Sequence, residues 1–265
     1  MRTPWNIVIF ATAVSVLQAE PVLFRCDFDT PADLSRLANP ETLELQERPD
    51  GKRRLCLPGD RKSVELTPIP ARAGVKYKLS LLAQVDDDFV VEQNDRAHHE
   101  TLRTHARHAS RYAIRFLNSL GEPINHPCHG AGGFILTANP HRYVAVFYTP
   151  PETEALQVVF APNRHDTFVG EVCIEQAIAE PGIAPNPDFR YGDLNYCGWR
   201  PYRDGRLVTR PDGKTVFKPG YGGASPAFPL SPDKTYRITA TGIGGGTVNI
   251  NYFNAEGKSI HRRFL

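Results

Sequence analysis

Tyr112–Ile124, YAIRFLNSLGEPI, is answered near the end of the chain by Val248–Ile260, VNINYFNAEGKSI. In the first copy Tyr112, Ile114 and Phe116 alternate with shorter or polar residues; in the second, Val248, Ile250 and Tyr252 do the same. Both copies then run through Asn-x-x-Gly, at Asn118–Gly121 and Asn254–Gly257. Period-two alternation closing on Asn and Gly marks a strand with one buried face entering a tight turn. An internal repeat also fixes the architecture before any single motif is weighed.

The same order extends outward from this pair. Asp27-Phe28 corresponds to Asp188-Phe189, Leu55–Gly59 to Val216–Gly220, and the strand at Ala73–Leu79 to Pro232–Ile238. Tyr77 and Tyr236 lie 159 residues apart, Tyr112 and Val248 only 136, so the first copy carries 159 − 136 = 23 extra residues between those strands. That places an insert at about residues 86–110. Pro181–Pro187, PGIAPNP, reads as a linker by composition. Further short strands are expected at VLFRCDFD (22–29), Val64–Leu66, Tyr143–Tyr148, Leu156–Phe160 and Phe168–Ile174, after a polar stretch of weak helical or loop character. Short strands with little helical period predict an antiparallel sandwich or barrel. The expected organisation is a signal segment (1–19), a first module (20–180), the linker (181–187) and a second module (188–265) that stops before the last three strands of the first. On that reading the sequence is a fragment of a longer protein.

Composition narrows the classes of partner. A formal charge of +2 with no Lys/Arg block argues against a nucleic-acid footprint. Arg2 followed by the short apolar run Ile7–Leu17 and then Ala19 reads as a secretory signal, with the mature chain starting at Glu20. No other stretch is long and apolar enough to span a membrane, so a secreted, periplasmic or extracellular location is expected. In an oxidising compartment Cys26, Cys56, Cys128 and Cys173 permit two disulfides in three connectivities, or remain as small buried hydrophobes; Cys197 is the odd fifth. Alternation puts Cys26 on the apolar side of its strand and Cys173 on the polar side, which argues against pairing those two.

Taken together, Asp-Phe, Pro-Gly, Gly74–Leu81, Ile114–Ile124 and the late strand Phe168–Gln176 resemble the jelly-roll carbohydrate-binding modules of secreted polysaccharide-degrading enzymes. These are galactose-binding-like β-sandwiches. Asn186-Pro187-Asp188-Phe189 and Gly198-Trp199 add to the likeness, which spans the first module and the front of the second. The resemblance implies an all-β fold of two tandem antiparallel jelly-roll modules, the second truncated. It also implies noncatalytic binding of a polysaccharide or glycan, often with structural calcium.

Sugar rings stack on flat aromatic faces and are oriented by a few polar groups. Tyr191–Tyr202, YGDLNYCGWRPY, offers Tyr191, Tyr196, Trp199 and Tyr202 interleaved with Asp193, Asn195 and Arg200, and Tyr221 follows in the GYGG turn. The alternative is that Trp199 plugs a core. Calcium needs hard oxygen ligands at one spot; Asp27 and Asp29 on the first strand and Glu171 and Glu175 on the last are the candidates, since first and last strands are neighbours in this fold class. The histidines of HHETLRTHARH (98–108) lack HExxH spacing and offer only His105 and His108 on one helical face. No Gly-x-Ser-x-Gly elbow, phosphate loop or singled-out carboxylate pair is present, so no enzyme activity is expected of this chain. The competing class is a structural or adhesion sandwich that binds protein.

Overall fold

The computed structural model describes residues 21–40, 43–48, 50–60, 63–85, 110–126, 134–135, 140–162, 166–179, 184, 186–192, 197, 199–202, 206–218, 222–224, 228–230, 235–237, 249–254 and 256–264. The described residues of 22–176 form eleven strands: β1 (Val22–Cys26), β2 (Glu44–Glu47), β3 (Arg53–Leu57), β4 (Val64–Glu65), β5 (Ile69–Pro70), β6 (Lys76–Val85), β7 (Arg111–Leu117), β8 (Phe134–Ile135), β9 (His141–Tyr148), β10 (Ala155–Ala161) and β11 (Thr167–Gln176). The stretch expected to be helical or loop is a 3-10 helix, Pro31–Arg36, followed by β2. Thr30 caps that helix in a reciprocal box with Asp33.

Two antiparallel sheets result. One runs β2-β3-β11-β6-β9 with β1 also on β11; the other runs β4-β10-β7-β8 with β5 also on β10. Each sheet is built the same way. A central strand has one long partner on one flank, β6 on β11 and β7 on β10, while two short strands share the other flank. Alternation sends Tyr77, Leu79, Leu81, Ala83 and Val85 of β6 inward, against Tyr112, Ile114 and Phe116 of β7 and Leu156, Val158 and Phe160 of β10. These side chains close one core between the two sheets, with Phe28 at its rim of the chain entry and wholly buried. The fold is an all-β antiparallel sandwich.

The described residues of 200–264 form three two-stranded ribbons: β12 (Arg200–Tyr202) on β15 (Gly222–Ala224), β13 (Arg206–Thr209) on β14 (Thr215–Lys218), and β16 (Asn249–Phe253) on β17 (Ser259–Phe264). Local geometry repeats between the two parts. Phe28 and Phe189 both take left-handed backbone, φ 53° and 52°. Arg48–Lys52 and Arg210–Lys214 share the sequence Arg-Pro-Asp-Gly-Lys and the same hairpin bonds: Arg48 N–H to Lys52 and Gly51 N–H to Arg48, Arg210 N–H to Lys214 and Gly213 N–H to Arg210. Asn118–Glu122 and Asn254–Lys258 also match, with Gly121 and Gly257 at φ 76° and 75°. A positive φ there suits glycine because no Cβ meets the following carbonyl.

The hairpins correct one alignment. Leu45 pairs with Leu55 across β2–β3, and Leu207 with Phe217 across β13–β14. Counted from the shared turn, Leu55 therefore corresponds to Phe217, not to Val216. A one-residue slip exchanges the two faces of a strand, so Phe217 holds the position that is core in the first part. Residues 235–237, aligned with the start of β6, lie outside any strand. β6 is held between β11 and β9, and no described strand in 200–264 pairs with 235–237.

No disulfide joins any two of Cys26, Cys56, Cys173 and Cys197. The reason lies in the pleat: Cys26 enters the core while Cys173, opposite Arg25 on β11, faces away from it. Cys128, the expected signal segment (1–19) and the histidines of 98–108 lie outside the described residues. Among the described residues no helix is long and apolar enough to cross a membrane.

Candidate functional site

The aromatic candidates are organised by the start of the second part. Asp188 and Arg190 flank Phe189 and form a two-pronged pair, Arg190 Nε to Asp188 Oδ1 at 3.0 Å and Nη2 to Oδ2 at 3.0 Å. Hydrogen bonding from Arg190 holds the Asp188 carboxyl below its ordinary range. Between these exposed charges the left-handed turn directs Phe189 back toward the chain. Trp199 meets it edge-on, with ring centres 5.0 Å apart. Phe217, set by the β13–β14 hairpin, stacks on Phe189 at 5.9 Å and lies tilted to Trp199 at 5.6 Å. All three rings are half-buried. Their separations fall in the range where aromatic pairs gain beyond simple burial, so the indole is held in one orientation with part of its surface in solvent.

The other aromatic candidates do not gather around Trp199 in what is described. Tyr191 is half-buried and packs against Val144, Val146 and Cys197 instead. Tyr202 lies in β12, opposite Gly222; its side chain, like Tyr196 and Tyr221, lies outside the described residues.

The carboxylates proposed for calcium are placed clearly. β1 and β11 are indeed neighbours, with Arg25 opposite Cys173. What that adjacency assembles is ion pairs. Arg142 Nη2 reaches Glu171 Oε2 at 2.5 Å and Arg25 Nη2 reaches Glu171 Oε1 at 3.7 Å. Arg25 also bonds Asp27 at 3.1 Å, and Lys78 bonds Glu175 at 3.0 Å. Arg142, aided by Arg25, keeps the Glu171 carboxyl below its usual range against the opposing effect of burial. Among the described residues no three acidic, histidine or cysteine side chains converge to hold a metal. Of the four expected calcium ligands, Asp27, Glu171 and Glu175 are thus each met by a cation: alternation put Glu171 and Glu175 on one face of β11, and neighbouring strands supply Arg142, Arg25 and Lys78 to them.

A concavity that sequence reading missed lies along β7. It encloses about 230 Å³ and is lined by Ile114, Arg115, Phe116 and the returning segment Pro123–His126. The Asn118–Glu122 turn sets that segment, and Ile124 N–H bonds the Phe116 carbonyl. Arg115 donates to Glu65 at 2.6 Å across the outer face of the second sheet. Asn125 and His126 complete the polar side. One signal was available: Arg115 interrupts the otherwise apolar run Tyr112–Leu117.

Comparison with family models and with curated proteins returns no match. Solved structures with a similar arrangement include a Clostridium thermocellum endo-1,4-β-D-xylanase 10B fragment, its CBM22-1 and GH10 modules in complex with xylohexaose. It shares 10% identity and a TM-score of 0.39, over 60% of this chain and 29% of that one. The CBM22-1 xylan-binding domain of Paenibacillus barcinonensis Xyn10C matches at 10% identity and 0.40, over 62% of this chain and 99% of its own. The carbohydrate-binding module CBM6cm-2 of Cellvibrio mixtus lichenase 5A, in complex with cellotriose, matches at 8% and 0.35, over 60% and 100%. The chain thus spans under a third of the xylanase fragment and nearly all of the two isolated modules.

Proposed function

We propose that this chain is an exported, noncatalytic carbohydrate-binding protein that takes a neutral polysaccharide, and that Trp199 is the stacking surface. The observation that carries the reading is the Phe189–Trp199–Phe217 triad: an indole buttressed on two sides, partly exposed, beside the exposed Asp188–Arg190 pair. A fixed aromatic plane binds the apolar face of a pyranose without losing side-chain freedom on association, and the charged pair supplies both a donor and acceptors for hydroxyls. In the first part the polar concavity along β7 is a second candidate surface, with Arg115, Asn125 and His126 as its polar groups. The module would act by itself or as the N-terminal binding region of a polysaccharide-acting enzyme.

A structural or adhesion role is favoured by one observation. Phe217 stands where the first part has buried Leu55, so the triad is also the nucleus of a core. Trp199→Ala separates the two readings. Retardation of the full chain in gels containing a panel of polysaccharides should be lost while the unfolding midpoint stays near that of the native chain. If the triad is core alone, truncation costs about 3–5 kcal/mol instead, and native gels show no retardation to lose.

A further inference from the structure

β9 is the edge strand of the first sheet, and its outer residues are covered. Tyr143, Ala145 and Phe147 point into the sandwich core, so Val144 and Val146 point out. They are nonetheless 6% and 5% exposed, because Cys197 and Tyr191 pack on them. Cys197 is itself fully buried, with Sγ 3.3 Å from the Val144 carbonyl. Its thiol also meets the Val146 backbone and the side chain of buried Asn186. Val144 C=O and Val146 N–H are two residues apart and so face the same side of the strand, the side away from β6. The thiol caps both, as a neighbouring strand would. Asn186 and Cys197 both hold left-handed backbone, φ 49° and 48°, a conformation that surrounding contacts must maintain.

Resting on the carbohydrate reading of Trp199, we propose that this clasp positions the aromatic platform. Val144 and Val146, which lie on the first sandwich, hold Cys197, and Cys197 sets Trp199 two residues further on. The second part's binding surface is then carried by the first part as one body. Burial drives the Cys197 thiol up to about 12, in keeping with a protected, un-ionised group.

The test uses the full chain in a Trp5→Phe background, so that Trp199 alone of the two tryptophans emits. Val146→Asp puts a charge into the clasp while leaving the inward face of β9 intact; Val146→Ile is the conservative control. Labelling of Cys197 by a neutral maleimide, resolved by mass spectrometry, should accelerate about tenfold or more in Val146→Asp, the equivalent of one lost buried aliphatic contact. Trp199 emission should shift toward the red in the same variant, with the far-ultraviolet sheet signal retained, and Val146→Ile should keep both native values. The proposal is overturned if native Cys197 labels as fast as in Val146→Asp, or if labelling accelerates while Trp199 emission stays put. Val144→Asp must repeat the result, which guards against a fold defect particular to one site. Polysaccharide retardation is read alongside: its absence in the native chain defeats the carbohydrate reading, while thiol protection and emission still decide the clasp.

Discussion

Phe28 and Phe189 sit in the same backbone turn, each between an aspartate and a residue that continues the chain, each near φ 50°. Arg25 pairs Asp27 in the first case and Arg190 pairs Asp188 in the second. Yet Phe28 is sealed inside the sandwich, and Phe189 is partly exposed against two other rings. The difference teaches where each level of structure originates. Turns and hairpins follow from five or six consecutive residues, whereas burial follows from how many strands arrive to cover them.

The largest expected effect tests that directly. Phe28→Ala should destabilise the sandwich by about 3–5 kcal/mol in denaturant unfolding, while Phe189→Ala should cost well under half as much. Equal costs would mean that the two surroundings are energetically alike and would erase the distinction. Next come the shared turns. Gly121→Ala and Gly257→Ala each place a Cβ in left-handed backbone, at a cost of about 1 kcal/mol or more. No neighbour lies within 4 Å of a Cβ built at Gly121, so there the cost is purely conformational. The comparison sharpens if Gly257→Ala lowers the thermal midpoint of its own part by a similar increment.

The smallest effect concerns acid. Because the Glu171 carboxyl is held below its unfolded value, its ion pairs add stability above about pH 4.3, and that contribution disappears as pH falls through the depressed value. Glu171→Gln should lower stability at pH 7 by about 0.5–1 kcal/mol and flatten the acid limb of the unfolding curve. Asp188→Asn should flatten that limb less, since its pair with Arg190 is exposed and screened by solvent. A matching loss in both variants would show that exposure does not distinguish them.

Much of the fold was legible because alternation is a local signal. Tyr112, Ile114 and Phe116, and Tyr77, Leu79 and Leu81, face the core as their spacing requires. Apolar runs were harder: YVAVFY at 143–148 gives a strand but cannot say that Val144 and Val146 need a cover, still less that Cys197, some fifty residues on, supplies it. The Arg-Pro-Asp-Gly-Lys repeat was open to view, and reading it would have fixed the register that put Phe217 beside Phe189. Trp199 was singled out for its chemistry, but its ring partners come from a turn and a separate hairpin whose approach no spacing rule predicts. The ion pairs of the carboxylates were hidden for a related reason: their own strand shows the acids, and only the neighbouring strands show Arg142, Arg25 and Lys78.

The pairing of β1 with β11 has a mechanical consequence. Val22 lies opposite Glu175, and Gln176 N–H bonds the Pro21 carbonyl, so the chain enters and leaves the sandwich at one point. Tension along the polypeptide therefore opens the β1–β11 ladder one bond at a time, like a zipper, and not all bonds together in shear. A tethered molecule under load would yield first at this seam, and forced unfolding would be set by the rate of peeling a five-residue strand. The same closeness of entry and exit lets the whole sandwich sit within a longer chain as a side branch, adding almost nothing to the distance between its neighbours.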